Sequence, residues 1–139
     1  YFFSNQSFIY KRIDLPIYNK TTTGCWKVKP NLKYLHSTDE FNYSIITNKN
    51  SFRIKEKESI NPIKPDSKLV MFLGGYLSFG KGINYENSYA YLISQYLKIK
   101  KFNSLNASIP AQLPNRQLCW FLNKGYKYII TGWLLFPLK

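Results

Sequence analysis

A chain of 139 residues with 45% hydrophobic and 18% aromatic side chains can bury one core, which excludes an intrinsically disordered tail. Twenty Lys and Arg against seven Asp and Glu give a formal charge of +13, which favours anionic partners such as nucleic acid, an acidic glycan or an anionic membrane surface. The same excess of Lys, with Asn, Ile and Tyr, also fits a coding bias, and no run approaches the roughly 18 apolar residues of a membrane helix.

Residues 1–23 are aromatic-rich and end in the polar run Asn19-Lys-Thr-Thr-Thr-Gly24, so with Pro16 they read as an irregular lead-in. Residues 24–67 read as a small β appendage and connector. Cys25 to Lys29 alternates large apolar and basic residues, and Phe41 to Thr47 alternates again, both with the period of a strand. Asn48 to Ser51 reads as a turn, and residues 55–67, with Pro62 and Pro65, as a charged connector. Residues 68–139 carry a different pattern. Leu69 to Leu73 is a continuous apolar run bounded by glycines, as in a strand buried on both faces. Glu86 to Lys100 has apolar residues at Tyr89, Leu92, Ile93, Tyr96 and Leu97, the spacing of an amphipathic helix, with an acidic start and a basic end. Phe102 to Ile109 reads as a second strand, Pro114 to Asn123 as a second helix, and Tyr126 to Thr131 as a third strand. The order β-α-β-α-β is that of a parallel sheet with crossover helices, whose functional groups gather at the carboxyl ends of the strands.

These residues carry a resemblance. Phe72-Leu-Gly74-Gly75-Tyr76-Leu-Ser78-Phe-Gly80-Lys-Gly82-Ile83 resembles the first block of the SGNH, or GDSL-type, hydrolases, Phe-x-Gly-Asp-Ser-x-Thr-x-Gly-x-Gly-Val. Asn106 to Ala111 resembles the second block, an Asn followed by a Pro-Gly pair, and Ile129 to Phe136 stands where the third would fall. Upstream, Gly24-Cys-Trp26-Lys-Val-Lys-Pro30-Asn31 and Thr47-Asn48-Lys-Asn-Ser51-Phe52-Arg53 resemble the lead-in elements of one subgroup. The resemblance spans about residues 24–136. It implies the first half of an SGNH-like, flavodoxin-like α/β domain, in a degenerate and C-terminally truncated member.

The resemblance also implies a chemistry, hydrolysis of esters, thioesters or acyl groups through a serine nucleophile, a general base and oxyanion donors. Tyr76 stands at the nucleophile position and Gly75 at that of the preceding Asp. A phenol is bulkier than a hydroxymethyl and carries its oxygen several ångströms further out, so Tyr76 plugs the pocket or, less simply, serves as an unusual nucleophile. Ser78, at the family's Thr position, is either a capping or packing hydroxyl or a relocated nucleophile. Ala111 replaces the Gly whose N–H donates to the oxyanion, and Leu134 or Phe136 replaces the block-three Asn. The Asp-x-x-His element has no counterpart before Lys139. His36 reads as a surface histidine and Asp39 with Glu40 as a solvated pair. The expectation is a hydrolase-like protein without serine chemistry. By resemblance the related substrates are acylated saccharides or lipid esters.

The alternative is a non-catalytic basic module that holds an acidic glycan or other polyanion on Trp26, Lys27, Lys29, Lys33 and Tyr34. No nucleic-acid motif supports the charge. Cys25 and Cys119 lack C-x-x-C spacing, which argues against zinc and leaves one disulfide open. No metal or organic cofactor is implied. The chain starts at Tyr1 with no signal-peptide pattern, as a processed product or fragment would. Sequons at Asn5, Asn19, Asn42 and Asn106 matter only in a glycosylating compartment, and the sequence does not fix a location.

Overall fold

The apolar run at Leu69–Phe72 forms a strand, β5, with every residue buried. The computed structural model describes residues 17–20, 25–37, 39–58, 68–110, 114–125 and 134–135, a mixed α/β structure with three short sheets. One sheet is parallel. Its strands β6 (Asn103–Asn106) and β7 (Leu134–Leu135) flank β5, in the order β6-β5-β7. The other two are antiparallel ladders: β1 (Tyr18–Lys20) with β2 (Trp26–Val28), and β3 (Lys33–Ser37) with β4 (Asn42–Ile46).

Side chains alternate across β5 and so feed two different cores. Leu69 and Met71 join Ile17, Val28, Tyr43, Ile45, Phe52 and Trp120 on one face. Val70 and Phe72 join Tyr85 and Ala90 on the other. The antiparallel ladders therefore cover one face of the parallel sheet and share its core. Burying each large apolar side chain contributes roughly 1.5–3 kcal/mol, so this shared layer binds the upstream strands to the sheet.

Helix α2 (Tyr89–Ile99) covers the second face. Its N-cap is Ser88, whose Oγ accepts from the Tyr91 N–H at 3.2 Å, and Lys98 sits in its last turn. Glu86 lies outside the helix, in a preceding 3-10 turn at Tyr85–Asn87. The stripe that marks α2 in the sequence is not the face it buries. Ala90 is fully buried and Tyr91 and Leu97 pack on the sheet, whereas Tyr89, Leu92, Ile93 and Tyr96 are exposed. Small side chains at Ala90 and Ser94 let the helix lie close to β5 and β6, which turns the larger apolar residues outward.

Two other sequence expectations change. The lead-in read as irregular contains β1, because Tyr18 to Lys20 pairs with Trp26 to Val28. The second helix ends earlier as a regular α-helix, α3 (Pro114–Trp120), and continues as a wider turn over Phe121–Gly125. The strand expected at 126–131 lies outside the described residues, and the strand beside β5 is Leu134–Leu135. Pro114 opens α3, where its missing N–H costs nothing.

One covalent tie crosses the fold. Cys25, beside β2, is disulfide-bonded to Cys119 in α3, across a sequence separation of 94 residues. This closes the alternative that the sequence left open.

Candidate functional site

The carboxyl end of β5 leads through Leu73, Gly74 and Gly75 into a four-residue helix, α1 (Tyr76–Phe79). Tyr76 is its first residue and is 46% exposed, next to Leu77, which is 83% exposed. Ser78 and Phe79 point the other way and are buried. The helix stops at Gly80, in the left-handed conformation with φ 78°, and its N–H returns to the Tyr76 and Leu77 carbonyls. A Cβ on Gly80 would lie 2.8 Å from Ser88 Cβ and 2.9 Å from Arg53 Nη1, so both the backbone angle and the space require glycine here. Gly75 has no such neighbour within 4 Å, and a side chain fits there.

The buried side of this turn is held by a guanidinium. Arg53 is 1% exposed. Its Nη1 donates to the carbonyls of Phe79 and, at 2.6 Å, Gly80, and its Nη2 donates to those of Ile83 at 2.8 Å and Ser44 at 3.2 Å. It also lies over the rings of Phe79, Tyr85 and Tyr43, at 4.6, 5.5 and 5.9 Å from their centroids. Burial pulls the guanidinium down to about 10, with Tyr43, Tyr85 and Glu86 opposing that fall. Burial raises the phenols of Tyr43 and Tyr85 in turn, with the Arg53 charge opposing the rise at both.

Asn106, the last residue of β6, completes the joint. Its Nδ2 donates to the Ser78 carbonyl at 2.8 Å and its Oδ1 accepts from the Ser108 N–H at 3.1 Å. Its own carbonyl accepts from the Arg53 N–H at 3.0 Å. The elements that resembled the first block, the second block and the upstream lead-in thus meet at Arg53, Ser78 and Asn106. Sequence reasoning missed Arg53 and the side-chain role of Asn106. A signal existed, since the chain has only three arginines among its twenty basic residues and one of them ends the Thr47–Arg53 element.

The candidate chemical groups are placed as follows. Ser78 is 2% exposed and its Oγ pairs with the Tyr89 hydroxyl at 2.5 Å. Tyr76 faces solvent, with Lys81 Nζ 4.3 Å from its ring centroid. Ala111 lies outside the described residues, and of Leu134 and Phe136 the structure describes only the backbone of Leu134 in β7. His36 is half-buried in β3 among the rings of Tyr34, Phe41 and Tyr43, 5.2–6.3 Å away, and Asp39 and Glu40 are exposed in the hairpin turn. Among the described residues no group of three His, Cys, Asp or Glu is placed to hold a metal ion.

Of the five residues of the alternative basic surface, four split between two sheets and Lys29 follows the end of β2. Trp26 and Lys27 lie in β2, with Trp26 edge-on to Tyr18 at 6.5 Å, while Lys33 and Tyr34 lie in β3 and Lys33 pairs with Glu56 at 2.5 Å. A separate cleft of about 350 Å³ opens beside β4 between Ser44, Ile54, Asn84, Tyr85 and Glu86, and neither Tyr76 nor Ser78 lines it. Compared with family models, curated proteins and solved structures, the chain finds no match.

Proposed function

We propose that this chain is a degenerate SGNH-type, GDSL-like hydrolase, built on the first half of a flavodoxin-like sheet and lacking serine-hydrolase chemistry. The observation that carries this reading is Tyr76, the first residue of the helix that follows the central parallel strand, where the lineage places its serine. The sheet order β6-β5-β7 is second-first-third, the order with which a flavodoxin-like sheet begins, and the turn at the carboxyl end of β5 is where such sheets bind ligands. The buried Ser78 does not replace the lost hydroxyl. It has a tyrosine partner at its Oγ, and a nucleophile needs a base in that place. By lineage the ancestral substrate class is an acyl ester on a saccharide or a lipid.

Hydrolysis of p-nitrophenyl acetate and butyrate by the folded, oxidised protein tests the reading. The expected rate is the buffer rate. Turnover abolished by Ser78→Ala or by Tyr76→Phe would overturn it.

The second reading, a basic module for a polyanion, draws support from the charge of +13 and from Trp26 and Lys27, adjacent in β2. Retention on heparin that falls as salt rises is its expected signature, and indifference to salt its refutation.

A further inference from the structure

The outward face of α2 is apolar where a solvent-facing helix is ordinarily polar. At 100° per residue, Tyr89, Leu92, Ile93, Tyr96 and Ile99 fall within one arc of about 120°. Leu92 and Tyr96 are each 59% exposed and Ile99 is 77% exposed. α1, which meets the start of α2 through the Ser78–Tyr89 pair, also exposes apolar side chains, Tyr76 and Leu77. Lysines stand directly on this face. Lys81 Nζ lies over the Tyr76 ring and Lys100 Nζ lies 5.8 Å from the Tyr96 ring centroid. Residues 89–101 contain no carboxylate.

We propose that this face docks the protein on an anionic phospholipid surface. Leu77, Leu92 and Ile99 would enter the boundary between headgroups and acyl chains, the tyrosines would sit at headgroup level, and Lys81 and Lys100 would reach the phosphates. Charge selects this occupant over a second copy of the chain. A two-fold contact through the same face would set Lys81 and Lys100 of one copy against the lysines of the other, with a charge of +13 on each. It also selects against a soluble polyanion, which has no use for a stripe of Leu and Ile. The proposal is independent of the hydrolase reading, because docking requires no reactive group.

The test is sedimentation of the full, oxidised chain with vesicles of phosphatidylcholine, with and without phosphatidylserine. The expected result is binding to the phosphatidylserine vesicles, little to the neutral ones, and loss at high salt. Lys81→Glu and Lys100→Glu should each weaken binding by about fivefold or more, and Lys33→Glu, with the same change in net charge on β3, by less. Leu77→Ser and Ile99→Ser should weaken binding while leaving the circular dichroism spectrum unchanged. No binding by the folded protein overturns the proposal. So does binding untouched by Leu77→Ser and Ile99→Ser, which would mean a polyanion contact made by charge alone. A dimer in light scattering that Ile99→Ser dissolves would show that a second copy covers the face.

Discussion

The two sides of α1 obey different constraints. On the inner side Ser78 and Phe79 are buried, the Arg53 guanidinium binds the turn's carbonyls, and Gly80 fills a space that admits no Cβ. On the outer side Tyr76 and Leu77 face solvent, and Gly75 has open space around it. In a catalytic turn both sides would be held, the inner one to position the backbone and the outer one to position a nucleophile and its base. Here the inner side is held by hydrogen bonds and close packing, while the outer side is open to solvent. The contrast separates what a fold needs from what a reaction needs.

The largest expected effect comes from the tie that holds the inner layer together. Opening the Cys25–Cys119 bridge, by reduction or by paired Ser substitution, frees a loop of 94 residues in the unfolded chain and should cost about 4–5 kcal/mol in urea denaturation. Arg53→Met should cost about 3–5 kcal/mol by the same measurement, because it leaves buried carbonyls without a donor. Arg53→Lys should rescue little of this, since an ammonium cannot span carbonyls on β4 and on both ends of the turn. A small loss in Arg53→Met would dissolve the distinction between the two sides.

Two glycines five residues apart sharpen it. Gly80→Ala should cost roughly 1–3 kcal/mol, from positive φ and from contacts under 3 Å, whereas Gly75→Ala should stay within about 0.5 kcal/mol. Equal costs would contradict the account.

The titrations of the joint give a smaller effect of determinate sign. The phenols of Tyr43 and Tyr85 are raised above their ordinary value of 10 by burial, so above that pH the unfolded chain loses these protons first and stability falls as pH rises. Arg53 acts oppositely above about 10, because its folded form gives up its proton before the unfolded one. Tyr85→Phe removes one of the two losses, so its stability should fall less steeply with rising alkaline pH than that of the parent in a series of urea titrations. A steeper decline in the variant would reverse the assignment.

The parallel sheet could be read in the sequence because Leu69–Phe72 is apolar at every position and is followed by the glycines of a tight turn. The two faces of α2 could not. A helix that buries Ala90, with Tyr91 and Leu97 half-buried on the sheet, has a weak inward signal, and the exposed Leu92, Ile93 and Tyr96 dominate the periodicity. Arg53 was hidden for a different reason. A charged side chain is assigned to the surface by default, and only three-dimensional placement shows that it serves carbonyls from separate segments. The disulfide was hidden by distance, since nothing local pairs residues 94 positions apart. Of the candidate site, the positions of Tyr76 and Ser78 followed from the Gly-rich turn. Their opposite exposures followed from the joint beneath it.

The smallest effect belongs to the outer side. Tyr76→Ser should change stability by less than about 0.5 kcal/mol and should not restore ester hydrolysis, because a hydroxyl without a base remains a poor nucleophile. A gain of turnover would mean that the remaining catalytic groups are in place.

The most direct test is the intact mass of the folded, oxidised protein after treatment with a fluorophosphonate. The account predicts the unmodified mass. An adduct that disappears in Ser78→Ala, or one that maps to Tyr76, would contradict it by showing a working nucleophile on the turn after β5.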